Sequence, residues 1–283
     1  MKICYLNGQF LPLEQATISP LDRGFLFADA VYEVIPVYQS QLFHAEQHLQ
    51  RLARSLAAIN LTTPENQTEW LGIINQLIIH NEEHNQVIYL QISRGAHSVR
   101  KHVLPQHYQA TRFAYSMPFT PLNVETMAQG VTAITLPDIR WQYCHIKSTS
   151  LLANVLLQQQ AAEQNAEEAI LINNHHAVEG TSSNVFVVKN QEIFTHPLEQ
   201  CILGGVTRDL VIQLARDAHI MVHEQPIPES NLYDADEIWI TSSSREIRPV
   251  VQLNQQPVGS GKAGPLWHQM IQHYRAANKV LSL

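Results

Sequence analysis

Lys147 is the first residue whose neighbours in the sequence suggest chemistry. It follows Ile146 and precedes an apolar helical stretch, so we expect it near the end of a strand, facing a cleft. A lysine amine that is removed from water has a lowered pKa and can attack an aldehyde. Most lysines are solvated surface residues, and the spacing alone favours that interpretation. The chemical hypothesis therefore depends on other segments.

Four further segments carry groups that bind charged ligands. Glu179 lies beside a glycine and a run of hydroxyl residues, where a carboxylate can keep a heterocyclic nitrogen protonated, although a capped turn has the same composition. Gly204 and Gly205 precede a helix, so backbone N–H groups there can point at an anion. The hydroxyl run at 241–244 and the helical Arg51 suit phosphate oxygens, but turns and solvated helices use the same residues. Each segment is a weak signal by itself.

The hydrophobic pattern indicates mixed strands and helices in both halves of the chain. The predicted strands are Ile3–Leu6, Gln9–Leu11, Val31–Tyr38, Val87–Ser93, Arg112–Ser116, Val131–Leu136, Ala169–Ile172, Val185–Val188, Glu192–Thr195 and Glu237–Thr241. The predicted helices are 49–59, Glu69–His80, Leu151–Ala162, Thr207–Ala218 and Leu266–Val280. Prolines at both ends of 118–121 disfavour a continuing helix or strand. We predict an α/β (α+β) protein with an N-terminal domain (1–118), a linker (119–123), a C-terminal domain (124–283) and a cleft between the domains.

Composition excludes several classes of protein. A chain of 283 residues that is 45% hydrophobic can build a large core, and its net charge of −7 argues against a nucleic-acid binder. No run of about 18 apolar residues predicts a membrane helix, and the first residues lack the apolar stretch of a signal peptide. Cys4, Cys144 and Cys201 lie too far apart for a CxxC motif or a disulfide framework, so we expect a reduced, cytoplasmic protein.

The histidine content raises the question of a metal. His44 and His48 share one helical face, but no third ligand and no HExxH motif accompany them. The adjacent His175 and His176 fit a hairpin turn at 173–177. We therefore expect no metal site.

The order of the motifs resembles the fold type IV pyridoxal-phosphate enzymes over nearly the whole chain. The motifs are Asp22-Arg23-Gly24-Phe25, Asp29-Ala-Val-Tyr32-Glu33, Arg51, Lys147, Glu179-Gly-Thr-Ser-Ser-Asn184, Gly205-Val-Thr-Arg208 and Thr241-Ser-Ser-Ser. That group contains branched-chain aminotransferases, D-amino acid aminotransferases and aminodeoxychorismate lyases. The resemblance implies a small N-terminal domain, a larger C-terminal domain and the cofactor pyridoxal 5'-phosphate.

The resemblance also implies a role for each matching residue. Lys147 matches the lysine that binds the cofactor covalently, and Glu179 matches the partner of the pyridine nitrogen. The residues implied for the phosphate are Arg51, Val206 through its backbone N–H, Thr207 and Ser243, where D-amino acid aminotransferases commonly have threonine. Tyr32 matches a tyrosine on the active-site strand, and Ser182 and Ser242 match residues that line the cofactor.

The segment 93–102 distinguishes the members of the group. D-amino acid aminotransferases carry an Arg-x-His pair after Ser/Thr-Arg-Gly, and Arg100 and His102 fit that pair. In the family the pair reaches across from the second subunit and, with Tyr32, binds the substrate α-carboxylate, which an arginine can hold bidentately. The resemblance thus implies a homodimer that transfers the amino group of a D-amino acid by ping-pong kinetics. D-Alanine and 2-oxoglutarate would give pyruvate and D-glutamate.

Other activities stay open at this stage. Branched-chain enzymes lack the Arg-x-His pair and usually read Glu-Gly-Ser-Gly-Glu-Asn where this chain has the segment 179–184. An aminodeoxychorismate lyase or a branched-chain aminotransferase of the same fold is the alternative. A protein that merely holds pyridoxal phosphate would need the phosphate-binding residues but no reactive lysine.

Overall fold

The structure is a computed structural model that describes residues 2–277. The chain forms two compact units: residues up to Pro121 with Ile146–Ser150 form the first, and Leu122–His145 with the residues from Leu151 onward form the second. The sequence prediction of one continuous C-terminal domain over 124–283 differs at Ile146–Ser150. Thr149 N donates to Ala30 O at 3.1 Å, and this tie to a first-unit strand explains the difference.

The first unit is an antiparallel sheet with two long helices. Its elements are β1 (Ile3–Leu6), β2 (Gln9–Pro12), a 3-10 turn (Leu13–Gln15), α1 (Arg23–Phe27), β3 (Ala30–Tyr38), β4 (Gln41–Leu42), α2 (Ala45–Ala58), α3 (Gln67–Asn81), β5 (Gln86–Ser93) and β6 (Thr111–Pro118). The strand order is β2-β1-β6-β5-β3-β4. Strand β6 runs further than predicted because Pro118 occupies its last position, opposite Gln86, where the ladder ends.

The helices of the first unit bury one apolar face each. Leu49, Leu52 and Leu56 recur at helical spacing on α2 and are buried, as the periodicity predicts. Helix α3 begins with a capping box in which Asn66 and Glu69 satisfy each other's backbone N–H groups. Each fully buried leucine contributes about 1.5–3 kcal/mol of hydrophobic free energy, so this packing fixes the sheet that carries β3.

The second unit is built on a larger, mixed sheet. Its elements are α4 (Val124–Ala128), β7 (Val131–Pro137), α5 (Leu152–Glu163), β8 (Glu168–Asn173), β9 (His176–Gly180), β10 (Asn184–Lys189), β11 (Glu192–Thr195), α6 (Val206–Asp217), β12 (Val222–Glu224), β13 (Ile227–Pro228), α7 (Ser230–Tyr233), β14 (Glu237–Ser242), β15 (Glu246–Leu253), β16 (Gln256–Pro257) and α8 (Pro265–Ala277). The order is β12-β11-β10-β14-β15-β7-β8-β9-β13, with β16 on β15. Strand pairs β15–β7, β7–β8 and β11–β12 are parallel.

The hairpin of β8 and β9 confirms the turn predicted at 173–177. Asn174 and His175 have φ of 46° and 62°, the left-handed conformation of both central residues in a two-residue hairpin turn. Strand β9 itself is not predicted, because its residues include a charged Glu179 and a glycine that interrupt the apolar pattern.

The C-terminal helix begins close to the position that the sequence predicts. The C-terminal helix was predicted over Leu266–Val280, and 278–280 lie outside the described residues, within which α8 covers Pro265–Ala277. Among residues 2–277, every helix is too short or too polar to cross a bilayer.

Candidate functional site

Lys147 is fixed beside β3 in the first unit. Its carbonyl accepts from Tyr32 N at 3.0 Å, and its own N–H donates to Ser55 Oγ of α2 at 3.3 Å. Val31 and Ser148 form an antiparallel bridge, so the backbone on both sides of the lysine is tied down. The half-buried side chain places Nζ 4.2 Å from the centre of the Tyr32 ring. The structure therefore brings together two residues that the sequence analysis singled out, and it holds an amine in a defined position.

Arg51 lies on α2 in a buried ion pair. Its Nε and Nη2 donate to the two carboxylate oxygens of Glu33, each at 2.7 Å, and His48 Nδ1 lies 2.8 Å from Glu33 Oε2. Burial works against the charge of Glu33, but Arg51 and His48 outweigh it and lower the pKa of Glu33 to about 2. The pair orients the guanidinium that was assigned to a phosphate. Glu33 had no predicted role, although it directly follows Tyr32.

The loop with Arg100 and His102 packs on α1 of its own chain. The guanidinium of Arg100 lies 4.7 Å from the centre of the Phe27 ring, and the ring centres of His102 and Phe27 are 5.2 Å apart. Both side chains are exposed. Among the residues that the structure describes, these two contact Phe27 within the chain and make no ring contact or hydrogen bond with Tyr32.

Arg23 anchors this loop, and the sequence analysis missed that role. Its Nη1 donates to Lys101 O at 2.6 Å, and its Nη2 donates to His102 O at 3.4 Å. Asp29 accepts from Arg23 Nε at 2.7 Å and from Arg94 Nε at 2.8 Å. Asp29 thus fixes Arg23, and Arg23 fixes the backbone from which Arg100 and His102 project.

Glu179 is the centre of a buried charged cluster in the second unit. It lies on β9 opposite Asn184, rather than in the turn that its neighbours suggested. Its carboxylate accepts from Arg140 Nη1, from Asn184 Nδ2 at 3.2 Å and from Leu203 N at 3.0 Å. Arg140 also binds Asp138: its Nε donates to Oδ1 and its Nη2 donates to Oδ2, each at 2.9 Å. Burial raises the pKa of Glu179 to about 7, because the shared Arg140 offsets the burial only in part.

Helix α6 presents its N-terminus in the same unit. Gly205 is the N-cap, and a Cβ there would lie 2.0 Å from Asn184 Oδ1, so a larger residue does not fit. Val206 and Thr207 occupy the first turn, where backbone N–H groups have no partner within the helix. Backbone N–H groups of this kind can bind an anion.

The predicted serines lie at one edge of the second sheet. Asn184, the first residue of β10, pairs with Thr241 near the end of β14. The strands are antiparallel, so the start of β10 and the end of β14 lie side by side. Ser182 before β10, Ser242 at the end of β14 and Ser243 after it therefore lie at the same edge of the sheet, where these strand ends meet. That edge also holds Glu179, which pairs with Asn184.

A buried carboxylate shapes this edge, and the sequence analysis did not find it. Glu168 is fully buried and accepts from Thr181 N at 2.9 Å, from Ser183 Oγ at 2.9 Å and from Arg245 Nη1 at 3.0 Å. These bonds fix the connection that presents Ser182. Glutamate at the start of an apolar strand gives no local sign of such partners.

Comparison with known proteins gives one family and consistent relatives. The family model described as amino-transferase class IV matches residues 30–253. A D-alanine aminotransferase of Bacillus licheniformis is 38% identical over 94% of this chain and 93% of its own length. A D-alanine aminotransferase of Staphylococcus aureus (strain MSSA476) is 36% identical over 95% of both chains.

Solved structures share the fold at lower sequence identity. The branched-chain amino acid aminotransferase of Escherichia coli superposes with a TM-score of 0.88 at 26% identity, over 95% of this chain and 92% of the other. A branched-chain amino acid aminotransferase of Thermobaculum terrenum in PLP-form has a TM-score of 0.87 at 24% identity, over 99% and 94%. The second likeness concerns the fold alone. The predicted fold class, a two-domain α+β enzyme of fold type IV, is confirmed.

Proposed function

The chain belongs to the class IV aminotransferases, and we propose that it is a D-amino acid transaminase that uses pyridoxal 5'-phosphate. Its likeness to D-alanine aminotransferases over almost the whole of both chains carries the proposal. The branched-chain enzymes match the fold but share less of the sequence. The loop with Arg100 and His102 supplies groups that bind an α-carboxylate, which agrees with the D-amino acid assignment.

Each of the two units carries donor groups that suit part of the cofactor. The N-terminus of α6, with the Val206 N–H and the Thr207 hydroxyl, suits a phosphate dianion. The Glu179 carboxylate is buried, and a protonated ring nitrogen is the partner that would offset the cost of its charge. The fixed amine of Lys147 suits an aldehyde. We assign the phosphate also to Arg51 and Ser243, and the cofactor lining to Ser182 and Ser242.

These assignments give each residue a defined task. When bound, the cofactor supplies an electron sink for the carbanion that forms at Cα. Lys147 Nζ would bind the aldehyde carbon and, once released from it, would accept the proton from Cα of the substrate. Glu179 keeps a proton on the ring nitrogen, and Arg140 keeps Glu179 in place. Arg51 holds the phosphate in an orientation set by Glu33.

The substrates follow from the groups that bind their carboxylates. We propose D-alanine as amino donor and 2-oxoglutarate as acceptor, with pyruvate and D-glutamate as products of a ping-pong reaction. We propose that Arg100 and His102, which contact Phe27 of their own chain, act with Tyr32 across a homodimer. A cytoplasmic location stays a prediction from the cysteine usage, and the cysteines Cys4, Cys144 and Cys201 are free thiols.

A scan of half-reactions tests the function. The holoenzyme is titrated separately with D-alanine, D-glutamate, L-leucine and aminodeoxychorismate, and the visible absorbance of the bound cofactor is followed. We expect D-alanine and D-glutamate to remove that absorbance, and we expect each of them to be converted to its 2-oxo acid. A response to L-leucine alone would assign the chain to branched-chain substrates. Pyruvate release from aminodeoxychorismate alone would assign a lyase.

A further inference from the structure

The loop between β11 and α6 brings together three side chains of metal-binding type. One donor atom each of His196, Glu199 and Cys201 lies within 4.8 Å of the other two. His196 is buried, Cys201 is half-buried and Glu199 is exposed. None of the three has a task in the proposed transamination. Their spacing, with Glu three and Cys five residues after His, is compact enough for one loop to supply every ligand.

A hydrogen bond from the ring of His196 favours the tautomer in which Nε2 can bind a metal. Its Nδ1 lies 2.9 Å from the carbonyl of Pro197, which can only accept a hydrogen bond, so Nδ1 carries the proton. The lone pair of the ring is then on Nε2. Histidines that bind metals usually donate their other ring N–H to a carbonyl or carboxylate in this way.

Both ends of the cluster have fixed backbones. Arg208 Nη2 donates to His196 O at 2.8 Å, and Arg140 Nη2 donates to Cys201 O at 3.2 Å. His145 N donates to Gln200 O at 3.2 Å, beside the cysteine. The backbone that carries His196 and Cys201 is therefore held in place, while the Glu199 side chain is exposed.

We propose that His196, Glu199 and Cys201 bind a thiophilic divalent cation of the Zn²⁺ type, with water in the fourth position. Tetrahedral zinc with sulfur at about 2.3 Å and nitrogen or oxygen at about 2.0–2.2 Å brings its ligand atoms to about 3.3–3.6 Å from one another. The donor atoms lie within 4.8 Å of one another, so each pair needs to approach by at most about 1.5 Å to reach this geometry.

The ligand chemistry selects the ion. A cysteine sulfur and an imidazole favour zinc and its neighbours over Mg²⁺ or Ca²⁺, which prefer oxygen ligands. Binding converts the Cys201 thiol to a thiolate, and its proton leaves to solvent. The bound ion would connect the two ends of the loop and restrict the chain just before Leu203, whose N–H donates to Glu179.

The test measures zinc binding to the holoenzyme in competition with a chromophoric chelator. We expect one ion per chain. Cys201→Ser and Glu199→Gln should each weaken binding by on the order of ten- to a hundred-fold or more, since even loss of an indirect partner has that effect. His223→Gln is the matched control, because His223 pairs with Glu192 at 2.9 Å without a cysteine and should leave the affinity unchanged. All variants carry the same cofactor, so zinc held by the cofactor is a common background.

Cobalt provides a second measurement. Co²⁺ added to the wild type should give the intense visible bands of a tetrahedral site, and Cys201→Ser should lose them. Equal zinc affinity in the wild type and both ligand variants would overturn the proposal. One ion per two chains would also overturn it, because the cysteine would then bridge molecules rather than complete a site within the loop.

Discussion

Arg140 and Glu179 form an ion pair in which both side chains are almost fully buried. A buried charge without a partner is costly. Arg140 holds the Glu179 carboxylate in place, but it offsets only part of the cost of burying that charge. Arg140 also binds Asp138, which gives the cluster two carboxylates for one guanidinium. A further cation beside Glu179, such as the protonated ring nitrogen that we propose, would complete the balance of charge.

Glu179→Gln should retain the cofactor and lose activity. The amide keeps the shape but removes the negative charge that favours the proton on the ring nitrogen. A decrease in kcat on the order of tens-fold corresponds to about 2 kcal/mol of transition-state stabilisation. Steady-state kinetics with D-alanine measure it, with the exposed Glu163→Gln as control. A wild-type kcat would remove Glu179 from this role.

Lys147→Ala should abolish transamination and covalent attachment of the cofactor. The amine is held over Tyr32 by backbone hydrogen bonds that the substitution leaves in place, so folding should be retained. Borohydride reduction followed by peptide mapping should find the cofactor on Lys147 in the wild type and no attachment in the variant. Attachment to the exposed Lys101 or Lys189 instead would contradict the assignment.

Arg23→Gln should impair substrate binding through the loop. Loss of the bonds to Lys101 O and His102 O frees the backbone that carries Arg100. We expect KM for D-alanine to rise on the order of ten-fold, about 1.4 kcal/mol, with a smaller change in kcat. Arg54→Gln, an exposed arginine on α2, is the control. In an Arg100→Ala background the effect of Arg23→Gln should disappear; a full additive effect there would mean that Arg23 acts elsewhere.

Local patterns predicted the elements that carry the site better than the contacts within it. The Val, Ile and Tyr content of β3 and the helical spacing in α2 are properties of neighbouring residues, and both elements agree with the structure. Arg140 meets Glu179, 39 residues away, and Arg23 meets Lys101, 78 residues away. Periodicity contains no information on such pairs, so these partners emerge only from the fold.

Two elements show why burial of polar groups misleads sequence reasoning. Strand β9 ends in Glu179 and Gly180, which read as a turn, but the charge is compensated from a distant segment. The segment with Lys147 joins the first unit through backbone hydrogen bonds, which any residue type can make. The residue type of Lys147 therefore could not indicate that its segment belongs to the first unit.

Glu33 predicts a dependence of stability on pH. Its pKa is lowered from an ordinary value of 4.5 to about 2, so its ion pair adds stability above about pH 4.5 that is lost as the pH falls toward 2. The free energies of unfolding of the wild type and Glu33→Gln should therefore converge by about 3 kcal/mol between about pH 5 and pH 2. Urea unfolding followed by circular dichroism measures this difference. Glu46→Gln, an exposed neighbour on α2, should show no such convergence.

Arg100→Ala and His102→Ala should mainly damage the binding of substrate. An α-carboxylate entering a partly desolvated pocket must be paired, and each lost charge-assisted bond costs on the order of 1.5–3 kcal/mol, or about ten- to a hundred-fold in kcat/KM. Cofactor affinity should be nearly unchanged, because the residues proposed to bind the phosphate lie on α6, on α2 and directly after β14. Kinetics with D-alanine and spectroscopic cofactor titration measure the two effects separately. An unchanged KM in Arg100→Ala would contradict the role.

Mixing two defective chains tests whether the pair serves its own subunit or the partner. We consider a hybrid dimer of Lys147→Ala with the Arg100→Ala/His102→Ala variant. If the Arg100–His102 pair acts in the site of the partner subunit, one site of this hybrid has Lys147, Arg100 and His102 all intact. The other site lacks every one of them. If the pair acts in the site of its own chain, neither site is complete, because one lacks Lys147 and the other lacks Arg100 and His102. We therefore expect activity to recover in proportion to the fraction of hybrid dimers, which native mass spectrometry measures. Hybrid dimers without recovered activity would mean that the Arg100–His102 pair acts within its own chain.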